Sequence, residues 1–162
     1  MSEQMIFVGS KPKPSKVESI EQLDDRSKPD TGGFWTSPYD PDYISEFIRY
    51  EQGNLVPATE DVWKIQMDTD SANILYLDSV EKLEQQPTVS PRIGKHTYLD
   101  FKTLFETYDA IYVSADLAHR KGLSTKYSLR GWDVTTYLWK DLSYVQKIEH
   151  LGVVRDIVSF ID

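Results

Sequence analysis

Residues 32–53 read GGFWTSPYDPDYISEFIRYEQG, and this stretch sets the class of fold. Phe34–Ser37 has the composition of a short aromatic-rich strand. Pro38, with no N–H to give to a ladder, argues that the strand's end leaves the sheet. Asp40-Pro41 has the form of a helix start, with a carboxylate at the N-cap and proline at the first helical position. Ile44, Phe47, Ile48 and Glu51 then recur at helical spacing, and Gly53 closes the element. A strand running into a helix, in a chain with many other short strand patterns, predicts an α+β domain.

Working outward, residues 5–9 (MIFVG) read as a first strand. Residues 10–33 are polar and punctuated by proline and glycine. They predict a long, partly irregular loop with one turn of helix near Val17–Leu23, and a loop of this length in a compact domain usually carries function. Toward the C-terminus, Trp63, Ile65 and Met67 alternate with Val62, Lys64, Gln66 and Asp68, which predicts a strand over Val62–Met67 with one apolar face. Ala72–Leu77 reads as a strand or extended segment, 79–86 as a short charged helix, and Pro87–Lys95 as loop. Tyr98–Tyr108 reads as a helix with Leu104, Phe105 and Tyr108 on its buried face. Asp109–Ser114 is a strand rich in branched and aromatic residues. His119–Lys126 is a basic loop, and Leu129–Trp139 is the longest strand candidate. Val145–Ile148 and Val153–Ile157 are two more apolar runs, divided by Gly152. No repeat or linker interrupts the pattern, so residues 1–162 are expected to form a single domain.

Composition narrows the class further. The chain has 162 residues, 26 acidic against 18 basic, for a net charge of −8, and no cysteine. Without thiols there are no disulfides and no cysteine nucleophile, which fits a reducing, cytoplasmic compartment. The opening MSEQMIFVGS lacks the pattern of a secretory signal, and no apolar run is long enough to span a membrane. The acidic balance repels polyanions. Two basic patches stand against it: Lys11, Lys13 and Lys16, and His119, Arg120, Lys121 and Lys126. Either could grip one phosphate-bearing ligand, but neither forms an extended nucleic-acid track. A dinucleotide-binding glycine fingerprint, a phosphate-binding P-loop, HExxH, a calcium loop and a GxSxG elbow are all absent, and three dispersed histidines do not make a zinc site.

Three segments could carry chemistry. In Gly32–Tyr39, the glycines allow close approach of a ligand, Trp35 and Tyr39 could hold a flat ring, and Thr36 and Ser37 could bond a ribose or an amide. Equally, Trp35 could be core and the hydroxyls could satisfy a strand end. In Arg130–Trp139, a continuous strand would put Asp133, Thr135, Tyr137 and Trp139 on one face. A carboxylate there is costly to bury unless paired, so Asp133 is a functional acid, a partner of Arg130 or a lysine, or a residue exposed at a strand end. In Tyr108–Asp116, Asp109 most simply starts or caps the strand and Asp116 lies at its exit.

These segments, in this order, resemble small proteins of the ADP-ribosyltransferase superfamily. Ile6-Phe7-Val8-Gly9-Ser10 looks like the strand that begins the NAD site, and Gly33-Phe34-Trp35-Thr36-Ser37 like the strand that supports nicotinamide and its ribose. Leu129–Trp139 looks like the late strand that supplies the acid, with Tyr108–Ser114 as the strand before it. Val8 stands where the family has histidine, and Asp133-Val134-Thr135 where it has a Glu-x-Glu or Gln-x-Glu pair. The resemblance implies a split β-sheet core with two or three short helices and NAD as cofactor. It also implies Asp133 and Ser37 as catalytic residues, contacts from Lys11, Trp35, Thr36, Tyr39 and Arg120, and transfer of ADP-ribose to an acceptor, most simply a protein. Two rivals are a non-enzymatic acidic binding or inhibitor domain that uses its Trp and Tyr surface, and a nucleotide or hydrolytic site built on His119 and Asp116. An enzyme requires a concave site with Asp133 facing Trp35, whereas a binder requires a flat or convex aromatic patch.

Overall fold

The computed structural model describes residues 2–9, 17–22, 27–29, 31–51, 59–90, 97–119, 128–129 and 132–158. In chain order the elements are β1 (Glu3–Gly9), β2 (Phe34–Pro38), α1 (Glu46–Glu51), β3 (Asp61–Met67), β4 (Ile74–Leu77), α2 (Val80–Glu84), β5 (Thr88–Val89), β6 (Tyr98–Leu99), α3 (Phe101–Thr107), β7 (Ala110–Val113), α4 (Ala115–Ala118), β8 (Thr136–Trp139), β9 (Val145–Val153) and α5 (Val154–Val158). Seven strands make one sheet in the order β4-β7-β8-β2-β1-β3-β9, and β5 and β6 make a separate ribbon. Among the described strand pairs only β4 and β7 run parallel, and the chain between them contains α2 and α3. The mixed α+β class expected from the alternation holds. Among the described residues five short helices accompany the sheet, against the two or three expected.

Register shows which side chains share a face. Leu75 and Leu77 stand beside Ile111 and Val113, which stand beside Leu138 and Thr136. Leu138 faces Trp35, Ser37 faces Ile6, and Val8 faces Val62. On this face two separate cores form. At the β4–β7–β8 end, Leu83 of α2, Phe101, Leu104 and Phe105 of α3 and Leu117 of α4 cover Leu77, Ile111, Val113 and Leu138. At the β1–β3 end, Ile48 of α1 and Val154 and Ile157 of α5 cover Ile6 and Val62. Each fully buried aliphatic side chain contributes about 1.5–3 kcal/mol. The two helix groups leave β2, the middle strand, between them.

The opposite face carries Met5, Phe34, Trp63, Ile65, Met67, Ala110, Tyr137 and Trp139 in a third core, to which no described helix contributes. Register shifts in the β3–β9 pairing, between Val62 and Trp63 and between Gln66 and Met67, add local twist at that edge. No described helix is long and apolar enough to cross a membrane.

Several boundaries differ from the sequence pattern, each for a local reason. The helix expected from Asp40-Pro41 begins at Glu46. The Asp40 carboxylate instead accepts from Asp42 N–H in a turn, Ile44 takes φ +69°, and Ser45 Oγ accepts from Ile48 N–H as the cap. The helix expected over Tyr98–Tyr108 is Phe101–Thr107. Tyr98 and Leu99 pair with Val89 and Thr88, and the Asp100 carboxylate then accepts from Thr103 N–H. Val17–Gln22 is not helical; Glu21 instead exchanges backbone bonds with Thr31 in an isolated bridge. Pro38 stays in the sheet, as the last rung opposite Met5. Strand β9 runs through Gly152, and Val154–Val158 is a helix that buries Val154 and Ile157, three residues apart. A short apolar run does not distinguish the two periods by itself.

The largest departure is Leu129–Trp139, in which, among the described residues, only Thr136–Trp139 is strand. Trp132 N–H donates to Leu129 C=O in a turn, and Thr135 N–H donates to the Glu46 carboxylate at 3.1 Å. Trp132, Asp133 and Thr135 thus place backbone bonds off the ladder, and Asp133 is not a strand residue sharing a face with Tyr137.

Candidate functional site

A cleft of about 430 Å³ opens over β2, between the two helix groups. Its floor is the middle of the sheet: Trp35 and Ser37 from β2, Ile6 and Val8 from β1, and Thr136 from β8. Phe47 of α1, Lys28 and Pro29 of the long loop, and Trp132, Asp133 and Val134 make the sides. The volume lies in the range of small-molecule sites, and the lining is apolar with a few convergent polar groups, as such sites usually are.

Trp35 is half-buried. Its ring centre is 5.0 Å from that of Trp132, with planes tilted by 55°, and the Lys28 ammonium lies 5.3 Å from it. Trp132 is itself held by a stacked contact with Phe101 at 6.0 Å and by its Nε1–H, which donates to Ser27 C=O at 2.8 Å. Ser37 is 3% exposed, and its Oγ has no hydrogen-bond partner in the protein. A buried hydroxyl left unpaired is costly and rare, and on the floor of a cleft it is suited to a ligand's polar group.

Asp133 is half-buried in the cleft lining. Its main chain is fixed by the residues around it. The Asp133 carbonyl oxygen lies 2.6 Å from His119 Nε2; a carbonyl can only accept, so that nitrogen carries the proton. The neighbouring Thr135 accepts from Ala115 N–H through Oγ1 at 3.2 Å.

The candidates named from sequence are thus brought together in part. Trp35, Ser37 and Asp133 share the cleft. Thr36 also borders it, but its hydroxyl is engaged on the opposite face of the sheet, donating to Met5 Sδ at 3.0 Å and accepting from Trp139 Nε1–H at 3.1 Å. Tyr39 does not line the cleft; its ring lies 4.8 Å from the Lys64 ammonium, beside α1. Lys11 and Arg120 lie outside the described residues. Of the two acids in Tyr108–Asp116, Asp109 accepts from Asn73 N–H and Tyr144 O–H, and Asp116 is exposed on the first turn of α4. Neither lines the cleft, nor does His119. Lys28, Phe47 and Trp132 were not singled out from sequence. Phe47 was visible only as a helical apolar position, and Lys28 only as one residue of a functional-looking loop. Among the described residues no group of three or more histidines and carboxylates could hold a metal ion.

Comparison with protein-family models, curated proteins and solved structures returned no match.

Proposed function

We propose that the protein binds NAD in the cleft over β2 and acts as an ADP-ribosyltransferase-like protein, passing ADP-ribose to an acceptor, most simply another protein. One observation carries this reading: a concave site gathers Trp35, Ser37 and Asp133 from two distant segments and leaves the buried Ser37 hydroxyl without a partner. NAD would supply a glycosidic bond between ribose C1 and a ring nitrogen, which breaks with its electron pair leaving on nicotinamide while an acceptor nucleophile bonds to C1 and loses its proton. Trp35 offers a flat face for a ring, and Ser37 a hydroxyl for a ribose or carboxamide group. Asp133 offers a fixed negative charge opposite the positive charge that grows at the sugar, which is electrostatic stabilisation with no covalent step at the carboxylate. Val8, Phe47 and Trp132 keep the surroundings apolar, which strengthens that charge–charge attraction.

The test is NAD binding and nicotinamide release by the wild type, Asp133→Asn and Asp133→Ala. Binding in all three, with release confined to the wild type, supports the reading. Binding without release by the wild type points to a pocket that turns over only with its acceptor. No binding at millimolar NAD rejects NAD as the ligand.

A second observation favours a partner-binding role for the other face. Tyr76, 39% exposed, packs on Tyr112 and Tyr137 at 5.3 and 6.3 Å, on the side of the sheet that no described helix covers. Tyrosine is enriched at interface cores. Tyr76→Glu should leave NAD binding unchanged and reduce transfer to a protein acceptor; an equal loss of both would assign Tyr76 to the stability of the sheet alone.

A further inference from the structure

The seven-stranded sheet ends in β4 on one side and β9 on the other, and β9 is the longer of the two. Among the described strands β9 pairs only with β3, so no described strand lies along its outer side. Such an edge is a template for a further strand. Register shifts at both ends leave Lys147–His150 as its regular stretch, paired with Gln66, Ile65, Lys64 and Trp63. Lys147 and Glu149 are exposed and lie on the helix-bearing side, beside Gln66 and Lys64. Lys64 Nζ reaches the Glu149 carboxylate at 3.4 Å, and Lys147 takes part in no ion pair among the described residues. Ile148 is half-buried on the other side, beside Ile65, and carries the third core out to the edge.

We infer that β9 pairs antiparallel with β9 of a second copy of this chain, about a two-fold axis at Ile148, in a reversible dimer. The stretch Gln146-Lys147-Ile148-Glu149-His150 is complementary to itself in that register. With Ile148 on the axis, Lys147 of each copy stands opposite Glu149 of the other, so the attractive pair is made twice. An axis at Lys147 or at Glu149 would set like charges directly opposite each other, which destabilises a sheet. A slip of one residue would turn Ile148 to the charged side. On the helix-bearing side the charges then alternate across the join: Lys64, Glu149, then Lys147 of the second copy. On the other side Ile148 meets its own counterpart, and the apolar surface continues from one copy into the next. A two-fold contact of this kind uses both β9 edges and closes at two copies. The register shifts keep the regular join short, so association falls at the weak, concentration-dependent end of protein contacts. Strands β1 and β3 stand between β9 and β2, so the cleft stays open in the dimer.

The experiment is sedimentation equilibrium of the wild type, Lys147→Glu, Glu149→Lys and an equimolar mixture of the two variants. At about 0.15 M salt the net charge of −8 on each copy is screened beyond about 8 Å, while the contact pairs persist. The wild type should show a reversible monomer–dimer equilibrium. Each variant sets like charges opposite at both pairs and should weaken dimerisation about tenfold or more. In the mixture both pairs are attractive again, so association should return to near the wild-type level. That recovery also shows that both variants are folded. Hydrogen exchange of the wild type gives a reading without substitution: outer-edge amides within Lys147–His150 should gain protection as concentration rises. A wild type that stays monomeric up to about 1 mM would overturn the proposal. A dimer that neither variant weakens would overturn it too, since it would use another face. If mixing does not restore association, exchange decides: protection of β9 that is independent of concentration rejects the pairing, and protection that rises with concentration upholds it.

Discussion

Trp35 and Trp132 meet at 5.0 Å between ring centres, and this contact joins the middle strand of the sheet to the irregular segment that carries Asp133. The two rings do different work. Trp132 is 1% exposed, stacks on Phe101 and bonds Ser27, whereas Trp35 keeps part of its surface in the cleft. Trp132→Ala should therefore cost about 3–5 kcal/mol, the usual range for a buried aromatic. Trp35→Ala should cost less and should abolish binding of a ring-bearing ligand. Urea denaturation alongside NAD titration separates the two effects; equal destabilisation would show that Trp35 is simply core.

Ser37→Ala gives the cleanest sign. The hydroxyl is buried with no partner, so its removal should leave stability unchanged or raise it by up to about 1 kcal/mol. The same change should weaken a ligand that bonds the hydroxyl. A clear loss of stability in the ligand-free variant would contradict an unpaired Ser37.

Thr36→Val should behave oppositely. The Thr36 hydroxyl accepts from Trp139 Nε1–H in a fully buried setting, and valine leaves that N–H without an acceptor. The expected cost is about 1–3 kcal/mol, read by chemical denaturation, with NAD affinity unchanged in the folded variant.

Tyr137 predicts a pH dependence. Burial, and after it the charge of Glu3, which accepts the Tyr137 O–H at 3.0 Å, holds its phenol far above the ordinary value of 10.0. Below pH 10 the residue is protonated in the folded and unfolded chains alike, and its burial contributes fully. Above pH 10 the unfolded chain loses the proton and the folded chain keeps it, so stability falls as pH rises. Tyr137→Phe should flatten that alkaline decline, measured as the urea midpoint between pH 9 and 11. An identical slope in both proteins would locate the effect at other tyrosines.

What could be read from sequence followed local physics. Val62–Met67 and Asp109–Ser114 alternate so regularly that their strands and faces were legible. In Phe34–Ser37 the strand was legible, but Thr36 and Ser37 read together as ligand contacts, whereas the pleat turns the Thr36 hydroxyl to the opposite face. Asp133 was recognisable as a carboxylate among aromatics, but the geometry assigned to it, a strand face shared with Tyr137, was not correct. The chain leaves the ladder there because Glu46 takes Thr135 N–H and His119 takes the Asp133 carbonyl, partners far away in sequence. Lys28 carried no signal beyond its place in a long loop, since its neighbour Trp35 is set by the fold of that loop back onto the sheet.

The sequence by itself determined the α+β class, the faces of its regular strands, the absence of thiol chemistry and the acidic surface, because composition and period-two alternation are properties of adjacent residues. Tertiary structure alone decided that β2 would be the middle strand, that the helices would gather at the two ends of one face, and that Trp35, Ser37, Lys28 and Asp133 would share the gap between them. Those outcomes depend on long-range pairing and on which apolar stripes find each other, and such contacts leave no periodic trace in any one segment.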